Sequence, residues 1–228
     1  MVRLELVKKC GTEQLSFDAK CVACGGWTGR DRALVMKHVE ELAKLGIPPP
    51  KKVPLLFPVS RYLLTQDEEI EILAQESSGE IEYVILIGSD AMYVTVGSDH
   101  TDRELERFSI EKAKQACPKI IARQGWLYGD VRDHWDEIIL RSHVTKEGKR
   151  TLYQEARLDN IIDVDKLLAL EDGKYRRNGA VFFSGTISTH GGLVFADRFE
   201  MEMVDLKLSR RIGHRYDVNV LTQTGLVN

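Results

Sequence analysis

Apolar and polar positions alternate with a period of two over most of this chain, and with a helical period in only a few stretches. Residues 2–7 read as a half-buried strand and 15–24 as a second, joined by a turn at Gly11-Thr12, so a small hairpin opens the chain. Residues 31–45 carry Leu34, Val35, Val39, Leu42 and Leu45 on one helical stripe, with Thr28 or Asp31 as cap and Gly46 with Pro48-Pro49-Pro50 as stop. Short strands are expected over 53–59 and 70–74, then a turn at Ser77-Ser78-Gly79. Residues 80–99, EIEYVILIGSDAMYVTVGSD, read as a β-hairpin: two runs rich in Val, Ile and Tyr flank a Gly-Ser-Asp turn. A helical run ends at Cys117-Pro118, and the β pattern resumes from Trp135. Strands are expected over 138–142, 152–157, 180–184, 199–203 and 216–221, a turn at Glu147-Gly148, and a short helix over 163–170 capped by Asp163. Gly185-Thr186-Ile187-Ser188 and Gly191-Gly192 form a loop whose backbone can approach a ligand closely.

The hairpin carries the chemistry. Glu80 and Glu82 are two apart and share one face of a strand. A loop over 88–91 pairs Ile87 with Met92, and counting back sets Glu80 opposite Asp99. Like charges set opposite each other are destabilising, and close carboxylates ionise together only at a cost. A divalent cation removes that cost, and an all-oxygen donor set suits Mg²⁺, Mn²⁺ or Ca²⁺. The competing reading is a solvated strand end with scattered acids, and a register slip of one residue would send them to opposite faces. On the 31–45 helix His38 falls inside the apolar stripe and Glu41 at its edge, one turn on. Such a pair is either a structural histidine satisfied by its neighbour or a general acid/base dyad. Behind Asp99, Lys114 and Lys119 either meet a substrate carboxylate or oxyanion, or are solvated.

Composition narrows the classes. Hydrophobic residues make up 43% and charged residues 29% of 228, the balance of an ordinary globular protein. A formal net charge of −3 argues against broad nucleic-acid binding. Met1 leads straight into a strand pattern and no apolar run is long enough to span a bilayer, so a cytoplasmic protein is expected. Of the cysteines at 10, 21, 24 and 117, Cys21 and Cys24 form a C-x-x-C with no second pair and no histidine at zinc-finger spacing. A redox or zinc site there competes with small hydrophobes on a buried strand in a reducing compartment.

Several motifs in order resemble the fumarylacetoacetate hydrolase superfamily, over residues 24–221. Gly25-Gly26-Trp27 followed by His38-x-x-Glu41 is similar to its G-x-N-Y…H-x-x-E segment, and Pro54-Leu55-Leu56-Phe57 to its P-x-L-F. Glu80-x-Glu82 resembles the metal pair, and 98–105 (SDHTDREL) the N-D-x-[ST]-x-R-D-L motif. Lys114 before Cys117-Pro118 resembles the lysine near the metal, and 184–187 (SGTI) the T-G-T-P loop. A bacterial branch of the superfamily is the nearest match. The resemblance implies an α+β, mostly β fold, a mixed β-roll of pseudo-symmetric halves, forming one catalytic domain over 1–228. Residues 1–24 would be N-terminal strands and 25–50 a lid segment and helix. It implies a homodimer and Mg²⁺ or Mn²⁺ on Glu80, Glu82 and Asp99, with a 2-oxo or 1,3-dicarbonyl acid as substrate. His38 and Glu41 would activate water for C–C hydrolysis. Lys114 with the Gly185-Thr186 loop would hold the substrate, and Arg103 would touch it or brace the site. Decarboxylation, hydration or tautomerisation on the same site are the alternatives, followed by non-catalytic binding of small acids. Four departures stand out: a shorter interval from Glu82 to Asp99, Thr28 where the family has Tyr, Ile187 for the loop proline, and Glu106 for a substrate-facing Gln.

Overall fold

The computed structural model describes residues 1–8, 11–44, 49–50, 52–73 and 75–223, without the side chains of residues 38, 41, 42, 44 and 223. Strands β1 (Val2–Lys8) and β2 (Gly11–Phe17) pair antiparallel, and β3 (Cys21–Gly26) follows. Helix α1 spans Arg32–Lys44 and is capped by Asp31, whose Oδ1 accepts from the Ala33 and Leu34 amides at 2.9 and 3.2 Å. Strands β4 (Leu55–Val59), β5 (Leu64–Thr65), β6 (Glu69–Ile72) and β7 (Ser77–Ser78) lead to the hairpin of β8 (Ile81–Ile87) and β9 (Met92–Asp99). Next come β10 (Thr101–Asp102), helices α2 (Arg103–Glu106) and α3 (Ile110–Ala116), β11 (Lys119–Ile121), β12 (Gln124–Leu127) and α4 (Tyr128–Val131). The chain continues with β13 (Ile139–Lys146), β14 (Lys149–Arg157), α5 (Val164–Ala169), β15 (Ala180–Phe183), β16 (Arg198–Asp205) and β17 (Arg210–Val220).

Two sheets organise these elements. The larger runs β2-β1-β12-β9-β8-β15-β3-β4, with β11 joined to β9 and β5. The smaller runs β14-β13-β16-β17-β6, and its β13, β16 and β17 lie against β8 and β9. Strand β8 is therefore covered on both faces, and every residue from Ile81 to Leu86 is buried. Ile81, Tyr83 and Ile85 enter the core between the sheets, with Val94, Leu140, Met203 and Tyr216. Val84 and Leu86 enter a second core with Leu4, Val22, Phe57, Ile121 and Phe183. Glu82 belongs by alternation to that second face. A central strand buried on both faces should be apolar throughout, so the carboxylate within it is the anomaly of the fold.

Several sequence expectations change in detail. Residues 15–24 are two strands, because the chain leaves β1 after Phe17 and crosses to lie parallel to β15. The Lys20 amide donates to the Gly179 carbonyl at 2.7 Å as that new pairing starts. Ser77 and Ser78 form a short strand opposite Asp102 and Thr101, not a turn. Trp135 lies in a 3-10 turn over Arg132–Glu137, and the strand begins at Ile139. The 31–45 stripe is only partly inward: Val39 is 5% exposed but Leu34 is 64% exposed. Its Leu42 and Leu45 lie outside the described side chains. Cys21 and Cys24 sit on β3, and their side chains pack against different cores. That separation removes the shared zinc or redox site, and Cys24 is a buried free thiol.

The close packing at Gly97, opposite Glu82 on β9, is testable. A Cβ there would lie 2.6 Å from Val84 Cγ2, 2.7 Å from the Ile120 carbonyl oxygen and 2.8 Å from Phe183 Cε1. Gly97→Ala is expected to lower stability by about 1–3 kcal/mol, the usual range for overpacking. Urea denaturation of both proteins measures it, and equal midpoints would mean that this face is looser than described.

Candidate metal centre

The hairpin register sets the site. Ile87 pairs with Met92 and Ile81 with Ser98, and the Asp99 amide donates to the Glu80 carbonyl at 3.0 Å. Glu80 and Glu82 share a face with Asp99 across from Glu80, and one carboxylate oxygen from each lies within 4.8 Å of the others. The register is held from outside by Tyr216, whose hydroxyl meets Ser98 Oγ at 2.8 Å and His100 Nδ1 at 3.0 Å. Ser98 Oγ also accepts the Glu80 amide at 3.2 Å, and His100 Nε2 reaches Ser77 Oγ at 2.8 Å. Burial lowers the His100 imidazole to about 3, with help from the charges of Lys119 and Arg103, so it is neutral.

Two of the three acids have cationic partners. Arg103, 6% exposed, reaches Glu80 Oε1 at 2.9 Å, Glu106 Oε2 at 2.8 Å and Ser78 Oγ at 2.8 Å. Its guanidinium is spent on these neighbours, so Arg103 braces the site. Lys114, on α3, hydrogen-bonds Asp99 Oδ2 and lies 3.4 Å from Glu80 Oε2. Lys119, at the start of β11, is fully buried with its ammonium 2.9 Å from Asp99 Oδ1. It also donates to the His100 and Cys117 carbonyls at 2.8 and 2.9 Å. Both lysines belong to the site, and the solvated reading fails. Burial would raise the Asp99 carboxyl, but Lys114 and Lys119 hold it well below the usual range. At Glu80 burial works the same way and is outweighed by Arg103 and Lys114.

Glu82 differs. Its Oε2 accepts the Gly185 amide at 2.8 Å, and its Oε1 is buried with no hydrogen-bond partner among the described residues. Burial first, then repulsion from Asp99, raises its carboxyl well above the usual range. Gly185 is at φ +83°, and a Cβ on it would fall 2.1 Å from Thr28 Oγ1, itself buried and unpartnered. Only glycine brings this amide to Glu82. Thr186 is turned aside: its hydroxyl donates to the Ile81 carbonyl at 2.8 Å and accepts from Gln154 Nε2 at 2.8 Å. Fully buried Gln154 also binds the Ile81 amide (3.1 Å) and the Ile187 carbonyl (2.7 Å), tying the loop to β8. Gln154 carried no signal in the sequence, where it is one polar residue of an exposed-looking strand. His38 and Glu41 lie on the backbone of α1, and their side chains lie outside the described residues.

The donor set fits a hard divalent ion: three converging carboxylates, two of which, Glu82 and Asp99, carry a buried oxygen with no hydrogen-bond partner among the described residues.

Structural relatives share this architecture at low identity. A 2-hydroxyhepta-2,4-diene-1,7-dioate isomerase from Mycobacterium marinum superposes with a TM-score of 0.62 and 16% identity, over 93% of this chain and 79% of its own. A 2-keto-3-deoxy-D-arabinonate dehydratase, complexed with magnesium and 2,5-dioxopentanoate, gives 0.61 and 13%, over 89% and 74%. A yeast fumarylacetoacetate hydrolase family protein gives 0.57 and 14%, over 90% and 96%. The fold is that of the fumarylacetoacetate hydrolase family proteins. The chain itself belongs to the family described as "Protein of unknown function (DUF2848)", whose model matches residues 25–216. No curated protein matches its sequence. Among the described residues no helix is long and apolar enough to cross a membrane.

Lys119 gives the test of the ion-pair geometry. Lys119→Met leaves Asp99 Oδ1 buried without its cation, and removing one partner of a buried pair typically costs about 3–5 kcal/mol. Urea unfolding should show that loss, and adding Asp99→Asn to the same protein should recover part of it. A Lys119→Met protein as stable as wild type would remove Lys119 from the network.

Proposed function

We propose that this protein is a divalent-metal-dependent enzyme acting on small oxo acids, and that it hydrolyses a C–C bond of a 2-oxo or 1,3-dicarbonyl acid. The single observation behind the reading is Glu82, an acid sealed in a two-faced core with one oxygen unpartnered and no ion pair of its own among the described residues. Such a group is costly unless a cation joins it. Mg²⁺ or Mn²⁺ held by Glu80, Glu82 and Asp99 would supply Lewis-acid polarisation of the substrate's oxo groups.

The chain's own groups then divide the work. Gly185 N–H aims Glu82, and Arg103 fixes Glu80. Lys114, with its ammonium at the edge of the triad, holds the substrate carboxylate beside the 185–186 loop. His38 Nδ1 or Nε2 takes a proton from the attacking water and returns it to the departing carbon. Glu41, one helical turn away in the sequence, would orient the imidazole and stabilise its charged form. The magnesium complex of the dehydratase with a dioxo acid, on the same fold, supports the ligand class. The isomerase and dehydratase among the relatives favour a second reading, in which the same site serves lyase or isomerase chemistry on an oxo acid.

Purified protein with added Mn²⁺ should be offered acylpyruvates, oxaloacetate and 2-hydroxydienoates, with hydrolysis, CO₂ release and hydration read separately. Glu41→Gln should lower kcat by roughly 10²–10⁴-fold, the usual worth of general acid–base catalysis, at near-normal Mn²⁺ affinity. Unchanged turnover in Glu41→Gln would take the dyad out of the mechanism. Glu82→Gln should abolish Mn²⁺ binding and turnover together.

A further inference from the structure

The two lysines on Asp99 are held in different ways. Lys119 Nζ has three acceptors at hydrogen-bond distance: Asp99 Oδ1 at 2.9 Å and the carbonyls of His100 and Cys117 at 2.8 and 2.9 Å. The contact to Asp99 is an ion pair and the two to the carbonyls are hydrogen bonds, so the ammonium is held on three sides. Two of its acceptors are backbone, and the side chain is fully buried. Lys119 has nowhere to go.

Lys114 has no backbone acceptor among its recorded partners. Its Nζ meets Asp99 Oδ2 and Glu80 Oε2, both oxygens of the candidate ligand triad, and lies 6.0 Å from the centre of the Phe57 ring. Glu80 keeps Arg103 on its other oxygen, and Asp99 keeps Lys119 on its other oxygen. The carboxylates would therefore stay pinned if Lys114 left. An ion using these carboxylates would lie within a few ångströms of the Lys114 ammonium, where two positive charges repel strongly.

We infer that Lys114 is a displaceable cation: it bridges Glu80 and Asp99, and a divalent metal binds by driving its ammonium off the triad, while Lys119 stays fixed behind Asp99. The inference rests on the metal reading above. The exchange moves the Lys114 charge and leaves its ammonium protonated. The four-carbon stem lets the ammonium swing while α3 stays in place, and the Phe57 ring face offers it one stop. An ammonium released from Glu80 and Asp99 is then free to meet an anionic group of a ligand, which ties substrate binding to metal loading. Lys114 is in this sense a positioning residue for the metal as well as a contact for the substrate.

Full-length wild type and the Lys114→Gln, Lys114→Met and Lys114→Arg proteins, stripped with chelator, are titrated with Mn²⁺, and free ion is read by electron paramagnetic resonance. Removing the competing charge should tighten Mn²⁺ binding about ten-fold or more in the Gln and Met proteins. The Arg protein should stay near wild type. Affinities in the neutral variants equal to or weaker than wild type would overturn the inference. A second measurement needs no variant: amine-reactive labelling of wild type, read by mass spectrometry with and without Mn²⁺. Lys114 labelling should rise several-fold with Mn²⁺ while Lys119 stays protected, and a Lys114 signal that does not change with Mn²⁺ would equally overturn it. Failure of wild type to bind Mn²⁺ at all sinks the metal reading itself, an outcome separate from wild-type binding with an immobile Lys114.

Discussion

Everything in this molecule turns on the repulsion among three carboxylates that the β8–β9 register forces together. Two of them have been answered with fixed cations, Arg103 on Glu80 and Lys119 on Asp99, both held by further hydrogen bonds of their own. Glu82 has been answered with one backbone amide. An amide offers a partial charge where the other acids have a whole one, so Glu82 is the least compensated of the three. The arrangement makes sense for a site that awaits a cation from outside, since a third fixed side-chain cation would close it.

The surrounding fold serves mainly to prevent escape from that repulsion. A hairpin under such stress could slip by one residue and send Glu82 into the core between the sheets. The described contacts oppose this from both faces. Tyr83, next to Glu82, sends its hydroxyl to the Ile162 carbonyl at 2.8 Å and packs edge-on against Trp135. Ser98, next to Asp99, is held by Tyr216 from the second sheet. Gly97 leaves the space that Val84, Ile120 and Phe183 fill, so β9 lies close to the partner face at the level of Glu82. Register and packing are thus the same constraint seen from two sides.

Much of the carboxylate cluster was legible because a strand's period is rigid. Glu80, Glu82 and the turn at 88–91 determine the position of Asp99 by counting, and no tertiary information is needed. The Asp31 and Asp163 caps were legible for the same reason, since a cap acts within three residues. What stayed hidden depends on contacts between distant segments. Lys119 could be read either as a lysine near the site or as solvated, and its place opposite Asp99 follows only when β11 pairs with β9. Gln154 sits among exposed positions of β14, and only the approach of the 184–188 loop buries it. The break at residues 18–20 was invisible because both halves are strand-like, and only the choice of partner divides them. The motif resemblance supplied Arg103, Gly185 and Thr186 by position, and the geometry then separated their work. Arg103 is consumed by its own neighbours, Gly185 acts through its amide, and the Thr186 hydroxyl faces the scaffold.

That separation bears on how chemistry could vary on such a frame. The carboxylate end is built from adjacent residues of one hairpin and locked by side chains of both sheets, so altering it disturbs the core. The 184–188 loop reaches the hairpin at three places, the Ser184 amide to the Tyr83 carbonyl, Gly185 to Glu82 and the Gln154–Thr186 pair to Ile81. Ile81 lies between Glu80 and Glu82 in the chain, so any movement of the loop is felt at the backbone that carries both ligands. Thr28 lies buried against Gly185 with no hydroxyl partner among the described residues, and its carbonyl accepts the Ile162 amide at 2.9 Å. The spacing of the three carboxylates is therefore the feature that this fold can alter least.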